Sequence, residues 1–306
     1  MHPSADSLTR QRFLTGTLAL VLANVGFSAK AVIVKLMYRH GVDVPSALAL
    51  RMMLAVPFYL GVALFLSRRR HNVRLSKREW LAISGLGILS YYVSSMLDFL
   101  GLQYVTASVE RLVLYTYPTI VLILSAVLFG RRISRVQYLA LILTYIGVVL
   151  AFAAEKGFSG QRDLLQGGML VFGCAITYAF YVVYTGEYVH RVGSAKFTCY
   201  AVMAATLPAL IQSAWHNHFD LFRFPAQVYV LSGWLAVVAT VIPTFLIVEG
   251  IRIVGANNSG LIGFVGPVAT ILLGYIFLDE PVSALQLLGT AIVLAGIGLL
   301  SWKGRK

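Results

Sequence analysis

The chain has 306 residues, of which 58% are apolar and only 12% charged, with a mean hydropathy of +0.80. An average soluble domain is about 25% charged, so this composition excludes a water-soluble enzyme or binding domain. The formal charge of +13 comes with no basic tract separate from the apolar runs, and it needs no nucleic-acid partner.

Apolar runs of about 20 residues, the length a helix needs to cross the hydrocarbon of a bilayer, follow one another almost from end to end. Ten spans are predicted: 13–37, 45–67, 79–100, 105–129, 134–154, 164–186, 196–215, 227–249, 256–278 and 282–302. The polar start from Met1 to Arg12 resembles the n-region of a signal peptide. The apolar run behind it continues past Lys30, which predicts an uncleaved first helix.

Basic residues set the orientation. With the N-terminus inside, seventeen Lys and Arg fall on inner segments, among them Arg68, Arg69, Arg70, Arg74, Lys77 and Arg78. Only Arg39, Lys156, Arg162 and Arg223 fall on outer ones. This positive-inside bias predicts both termini in the cytoplasm and a place in the inner (cell) membrane, with basic loops against anionic lipid headgroups.

The second half of the chain repeats the first. A shift of 149 positions lays Gly101 on Gly250, Val105 on Val254, Leu112 on Leu261 and Pro118 on Pro267. The same frame continues through Ser134/Ser283, Gln137/Gln286 and Gly147/Gly296. In the first two spans the match is loose: Gly16 to Tyr38 can be laid on Gly167 to Tyr188 with few identities. Five spans per copy is an odd number, so the copies enter the membrane from opposite sides. The expected fold is therefore all-α and integral to the membrane, with ten transmembrane helices in two inverted five-helix repeats, 13–154 and 164–302. Many secondary transporters share that plan.

No phosphate loop, nucleophile elbow or paired zinc ligands can be found. Cys174 and Cys199 lie in separate apolar spans, and the six histidines, including His190, His216 and His218, are scattered near loops and ends. The expectation is no enzyme, no cofactor and no metal.

Ionisable residues within spans carry more information, because each is costly there unless it is paired or faces water. Counted at ~1.5 Å per residue, Lys30, Arg51, Glu110 and Arg111 form one layer below the outer boundary, with Asp98 nearer the surface. A structural network would pair Glu110 with Arg51 and Asp98 with Lys30. A functional layer would leave excess positive charge facing a substrate carboxylate. The expected compromise is one Arg on Glu110 and the other free in a cavity. Glu249 and Glu187, at span ends, read as boundary residues, with proton carriage by Glu249 the alternative. Hydroxyl and aromatic residues complete the candidate binding set: Asn24 and Ser28 on span one, Tyr92 and Ser95 on span three, Tyr115 on span four, Tyr178 and Tyr181 on span six. Pro118, Pro243 and Pro267 are expected to break spans four, eight and nine, and paired breaks point to a binding region.

Two stretches resemble the repeated unit of the drug/metabolite transporter superfamily, EamA type. They are Gly101-Leu-Gln-Tyr-Val-Thr-Ala-Ser followed by Pro118, and Gly250-Ile-Arg-Ile-Val-Gly-Ala-Asn followed by Pro267. Leu278-Asp-Glu-Pro-Val-Ser283 and Ala47-Leu-Ala-Leu-Arg51 are similar to further parts of that unit. The chain departs from it at Arg131, where the family turn usually carries Glu, and at Glu110-Arg111, where most members are apolar. The resemblance implies a central cavity lined by spans one, three, four, six, eight and nine. It also implies export of a small polar metabolite such as an amino acid or related carboxylate. Coupling to protons is a separate expectation. A lipid-handling protein of scramblase or flippase type is the alternative.

Overall fold

The computed structural model describes residues 5–68, 75–130, 133–156, 163–217, 220–254, 262–263 and 265–303. Arg131, His218 and the first residues of the ninth predicted span lie outside them, as do the side chains of Glu187 and His190. The described residues form ten membrane helices: α1 (Ala5–Arg39), α2 (Val44–Ser67), α3 (Lys77–Gly101), α4 (Ala107–Phe129), α5 (Arg135–Lys156), α6 (Leu164–Val192), α7 (Ser194–Asn217), α8 (Ala226–Val254), α9 (Val265–Leu278) and α10 (Ala284–Lys303). Eight are long and apolar enough to cross a membrane, and α9 and α10 contribute shorter apolar stretches.

Several helices begin where side chains satisfy the first free amides. Asp43 accepts from Ser46 N at 3.2 Å ahead of α2. Ser76 and Glu79 form a reciprocal capping box on α3, and Thr106 accepts from Val109 N on α4. The repeated Ser and Gln residues have the same use. Ser134 N donates to Gln137 Oε1 at 2.8 Å before α5, and Gln286 N donates to Ser283 Oγ at 3.0 Å before α10.

The repeated glycines mark where the two copies meet. A Cβ on Gly147 would lie 2.6 Å from the carbonyl oxygen of Gly289 and 2.7 Å from Val293. A Cβ on its mate Gly296 would lie 2.9 Å from the carbonyl oxygen of Ala140 and 2.6 Å from Thr144. Under the 149-residue shift Ala140 and Thr144 are the mates of Gly289 and Val293. Residue i touches j′ and j touches i′, which is the signature of a two-fold axis; here it runs between α5 and α10. Small residues let the two backbones approach closely, the usual means of helix association in lipid.

A second pair of crossings obeys the same rule. Gly101 on α3 abuts Val171 and the Gly167 carbonyl of α6, while Gly250 on α8 abuts Leu20 and the Gly16 carbonyl of α1. The loosely matched first spans of each copy thus occupy equivalent places.

The helix breaks are paired as well. A π-helical segment, Ile88–Ser94, interrupts α3, and another, Val237–Val241, interrupts α8 at the position 149 residues on. Pro243 follows the second. Its missing amide cannot bond to the Ala239 carbonyl, which lies in the middle of the wide turn. Within α4 the helix stops at Leu114 and restarts at Tyr117, so the break at Tyr115–Thr116 precedes Pro118. α9 starts at Val265, the mate of Thr116, with Pro267 in its first turn. Both prolines therefore open a helix, where a missing N–H costs nothing, rather than bend one.

Candidate functional site

Where the broken helices face one another they enclose a cavity of ≈ 230 Å³. α1 contributes Asn24, Phe27 and Lys30, and α2 contributes Arg51. The π-helical stretch of α3 and the turn after it present Ser90, Tyr91, Ser94, Ser95 and Asp98. Arg111, Leu114, Tyr115 and Tyr117 come from both sides of the break in α4. The second copy adds Cys174 and Tyr178 on α6 and Thr240, Thr244 and Ile247 on α8.

Of the two ion pairs expected from the sequence, Asp98 with Lys30 is made and Glu110 with Arg51 is not. Lys30 Nζ donates to Asp98 Oδ2 and lies 3.5 Å from Glu110 Oε1, so one ammonium holds both acids. Glu110 is wholly buried and reached by no hydrogen-bond donor; Asp98 is 1% exposed, with Oδ1 unpartnered. The expected contact between an Arg and Glu110 is not made. Lys30 is unbranched and descends from α1 between α3 and α4, which brings its ammonium to the acids ahead of either guanidinium.

Arg51 turns instead to neutral partners. Its Nε donates to Thr240 Oγ1 at 3.0 Å and a terminal nitrogen to Ser95 Oγ at 3.2 Å, with the guanidinium 5.7 Å from the Phe99 ring centre. Arg111 lies over the Tyr115 ring at 5.3 Å, and its Nε has no hydrogen-bond partner. Among the described residues neither guanidinium has a carboxylate within ion-pair distance.

Of the remaining candidates, Asn24 and Tyr115 reach the cavity: Asn24 Nδ2 donates to the Leu20 carbonyl at 2.8 Å and Tyr115 Oη to that of Gly263 at 2.7 Å. Tyr178 packs edge-on against Tyr117 and stacks on Tyr181, with ring centres 5.0 and 5.8 Å apart. Ser28, Tyr92, Glu110 and Tyr181 do not line the cavity. Ser28 Oγ is spent on the carbonyls of Asn24 and Gly266, and Tyr92 Oη donates outward to Gln212 at 3.0 Å. Tyr181 belongs to the wall behind, packed on Ile83 and Phe197. Pro243 is buried against Gly26 rather than on the cavity surface.

Thr240 and Thr244 escaped the sequence reading because a lone Thr in an apolar span carries no signal. The repeat would have found them, since they are the 149-residue mates of Tyr91 and Ser95.

Membrane helices from both copies of one repeated unit, three of them interrupted, meet around this cavity, a plan shared by many secondary transporters. The EamA-like transporter family model matches the chain twice, over residues 14–153 and 165–302. The chain belongs to the EamA-like transporter family. It is 31% identical to the uncharacterized transporter YcbK of Bacillus subtilis (strain 168), over 90% of this chain and 88% of that one. It is 25% identical to the uncharacterized transporter sll1319 of Synechocystis, over 95% and 94%. A WAT1-related chloroplastic protein of Arabidopsis thaliana, At3g02690, is 25% identical over 66% of this chain and 50% of its own. A solved crystal structure shares the fold at TM-score 0.65 and 17% identity, over 95% of this chain and 97% of its own.

Proposed function

We propose that this chain exports a small polar metabolite bearing a carboxylate, such as an amino acid, by alternating access of its two inverted halves, 13–154 and 164–302. The proposed setting is the inner (cell) membrane with both termini cytoplasmic. One observation carries the substrate class: Arg51 and Arg111 border the cavity, are 6% and 8% exposed, and have no carboxylate partner among the described residues. A buried cation without a counter-ion is costly, and a bound carboxylate would supply one through charge-assisted hydrogen bonds. The break in α4 beside Arg111 and the π segment beside Ser95 give the helices places to flex. A cavity of ≈ 230 Å³ fits a small metabolite and not a two-chain lipid. The export direction rests on the family resemblance.

The test is flux of a radiolabelled L-amino-acid mixture into proteoliposomes. Arg51→Gln and Arg111→Gln should each reach the parental yield, because neither leaves an acid without its cation. Each should lower uptake about 10- to 100-fold, the loss of one hydrogen bond to a charged group at about 1.5–3 kcal/mol. Parental flux in both variants, or lipid flipping in place of solute flux, would overturn the reading.

A further inference from the structure

Two acids and one ammonium meet beside the cavity, and their oxygens are not all served. Lys30 Nζ bonds Asp98 Oδ2, but Asp98 Oδ1 and both oxygens of Glu110 are sealed from solvent without a donor. The titratable and charged groups facing the pair are Lys30 and Tyr38 on α1, Arg51 on α2, Arg111 on α4 and Cys174 on α6. Arg51 directs its donors at Thr240 and Ser95, and Arg111 lies over Tyr115. Lys35, further along α1, is occupied elsewhere, donating to the Val105 carbonyl and pairing with Glu280 at 3.4 Å.

With both acids ionised, two buried carboxylates would share one ammonium and leave three oxygens bare, at a cost of several kcal/mol. A single proton eases both faults: it cancels one charge and pairs two of the three bare oxygens, one as donor and one as acceptor. We propose that Asp98 and Glu110 hold one exchangeable proton between them as a Glu110 carboxyl against an Asp98 carboxylate, and that this proton is the coupling ion of transport. Its role in coupling rests on the transporter reading above; its presence does not.

Only Asp98 and Lys30 of the cluster border the cavity, so Asp98 is the entrance. A proton arriving from cavity water protonates Asp98 and passes to Glu110, leaving the Asp98 carboxylate with Lys30. On release, the Glu110 O–H bond breaks, its electron pair stays on Glu110, and the proton returns through Asp98 to water. Lys30 then faces two carboxylates and moves between them. That shift of one side chain pulls on α1 relative to α3 and α4, the helices that carry the cavity and its break.

The proton can be seen without any substrate. Infrared difference spectra of the reconstituted protein between acid and alkaline pH should show the carbonyl stretch of one buried carboxylic acid that vanishes as pH rises and moves in D2O. Glu110→Gln should abolish it and still fold, since Gln copies the neutral acid. If that variant does not fold, the wild-type titration alone decides: no titrating carboxyl band overturns the proposal. In the second arm, a pH gradient is imposed in either orientation on liposomes given the radiolabelled L-amino-acid mixture. One orientation should drive accumulation in the parent up to about tenfold per pH unit for one proton. Glu110→Gln should still exchange the mixture across the membrane but accumulate none in either orientation of the gradient. A band with no flux in the parent sinks the transporter reading and the coupling role while the proton site stands. Flux and accumulation with no band sink the proton site alone.

Discussion

The two halves of this molecule share a scaffold and differ in what they carry. Both present a π segment in their third helix, a proline in the first turn of the helix that begins at Tyr117 or at Val265, and a glycine crossing at the shared axis. Among the described residues the first half supplies all the charge to the cavity: Lys30, Arg51, Asp98 and Arg111, with Glu110 behind. Among the described residues the second supplies only Cys174, Tyr178, Thr240, Thr244 and Ile247. The mate of Asp98 is Ile247, and the mates of Glu110 and Arg111 are Ser259 and Gly260. Duplication thus accounts for the architecture and says little about the chemistry, which was free to concentrate in one copy.

The largest effect should come from removing the cation that only the first half has. Lys30→Met leaves the buried Asp98 carboxylate without its counter-ion, and breaking a buried pair costs about 3–5 kcal/mol. Thermal unfolding in detergent should show a severe loss, largely restored when Asp98→Asn is added. An unchanged midpoint in the single variant would mean that the charged cluster contributes nothing to the first half.

At the axis the halves should behave alike. Gly147→Ala and Gly296→Ala each drive a methyl to within 3 Å of a backbone carbonyl on the partner helix. Overpacking of this kind costs about 1–3 kcal/mol, and the two values should agree closely. A large difference between them would break the two-fold relation argued from their contacts.

The caps should separate the halves by a smaller margin. Ser283 Oγ accepts from Gln286 N, whereas Ser134 Oγ has no partner and its cap runs through Gln137. Ser283→Ala should therefore cost about 1 kcal/mol and Ser134→Ala almost nothing in the same unfolding assay.

Much of the fold was legible because the repeated identities sit at structural necessities. Gly147/Gly296 and Gly101/Gly250 permit close crossings, Gln137 in one copy and Ser283 in the other cap helices, and Pro118/Pro267 open them. Hydropathy placed nearly all the spans within a few residues of their helices, although α6 runs on to Val192. The site was harder. The layer of ionisable residues stood out, but its pairing depends on how far each side chain reaches across three helices, which spacing along one helix cannot express. The π segments were invisible, because a wider turn leaves no compositional mark in an apolar run. Tyr92, Tyr181 and Ser28 share the residue types of the true lining and were separated from it only by the rotation of their helices.

The smallest effect should come from Glu249, the acid that would overturn the contrast between the halves if it carried protons in the second. It stands one residue before the Gly250 crossing, and its mate in the first half is Leu100. Its side chain is 48% exposed at the end of α8, where Arg252 one turn on donates to it from two nitrogens. An exposed pair of this kind contributes little, since water and salt already screen both charges. It is not among the residues lining the cavity described above, and a proton released there would pass to solvent on its own side. Glu249→Gln should therefore leave the unfolding midpoint and the pH-gradient-driven accumulation of amino acids at parental levels. Loss of accumulation with exchange retained would move the coupling site to the second half, and the asymmetry described above would have to be redrawn around α8.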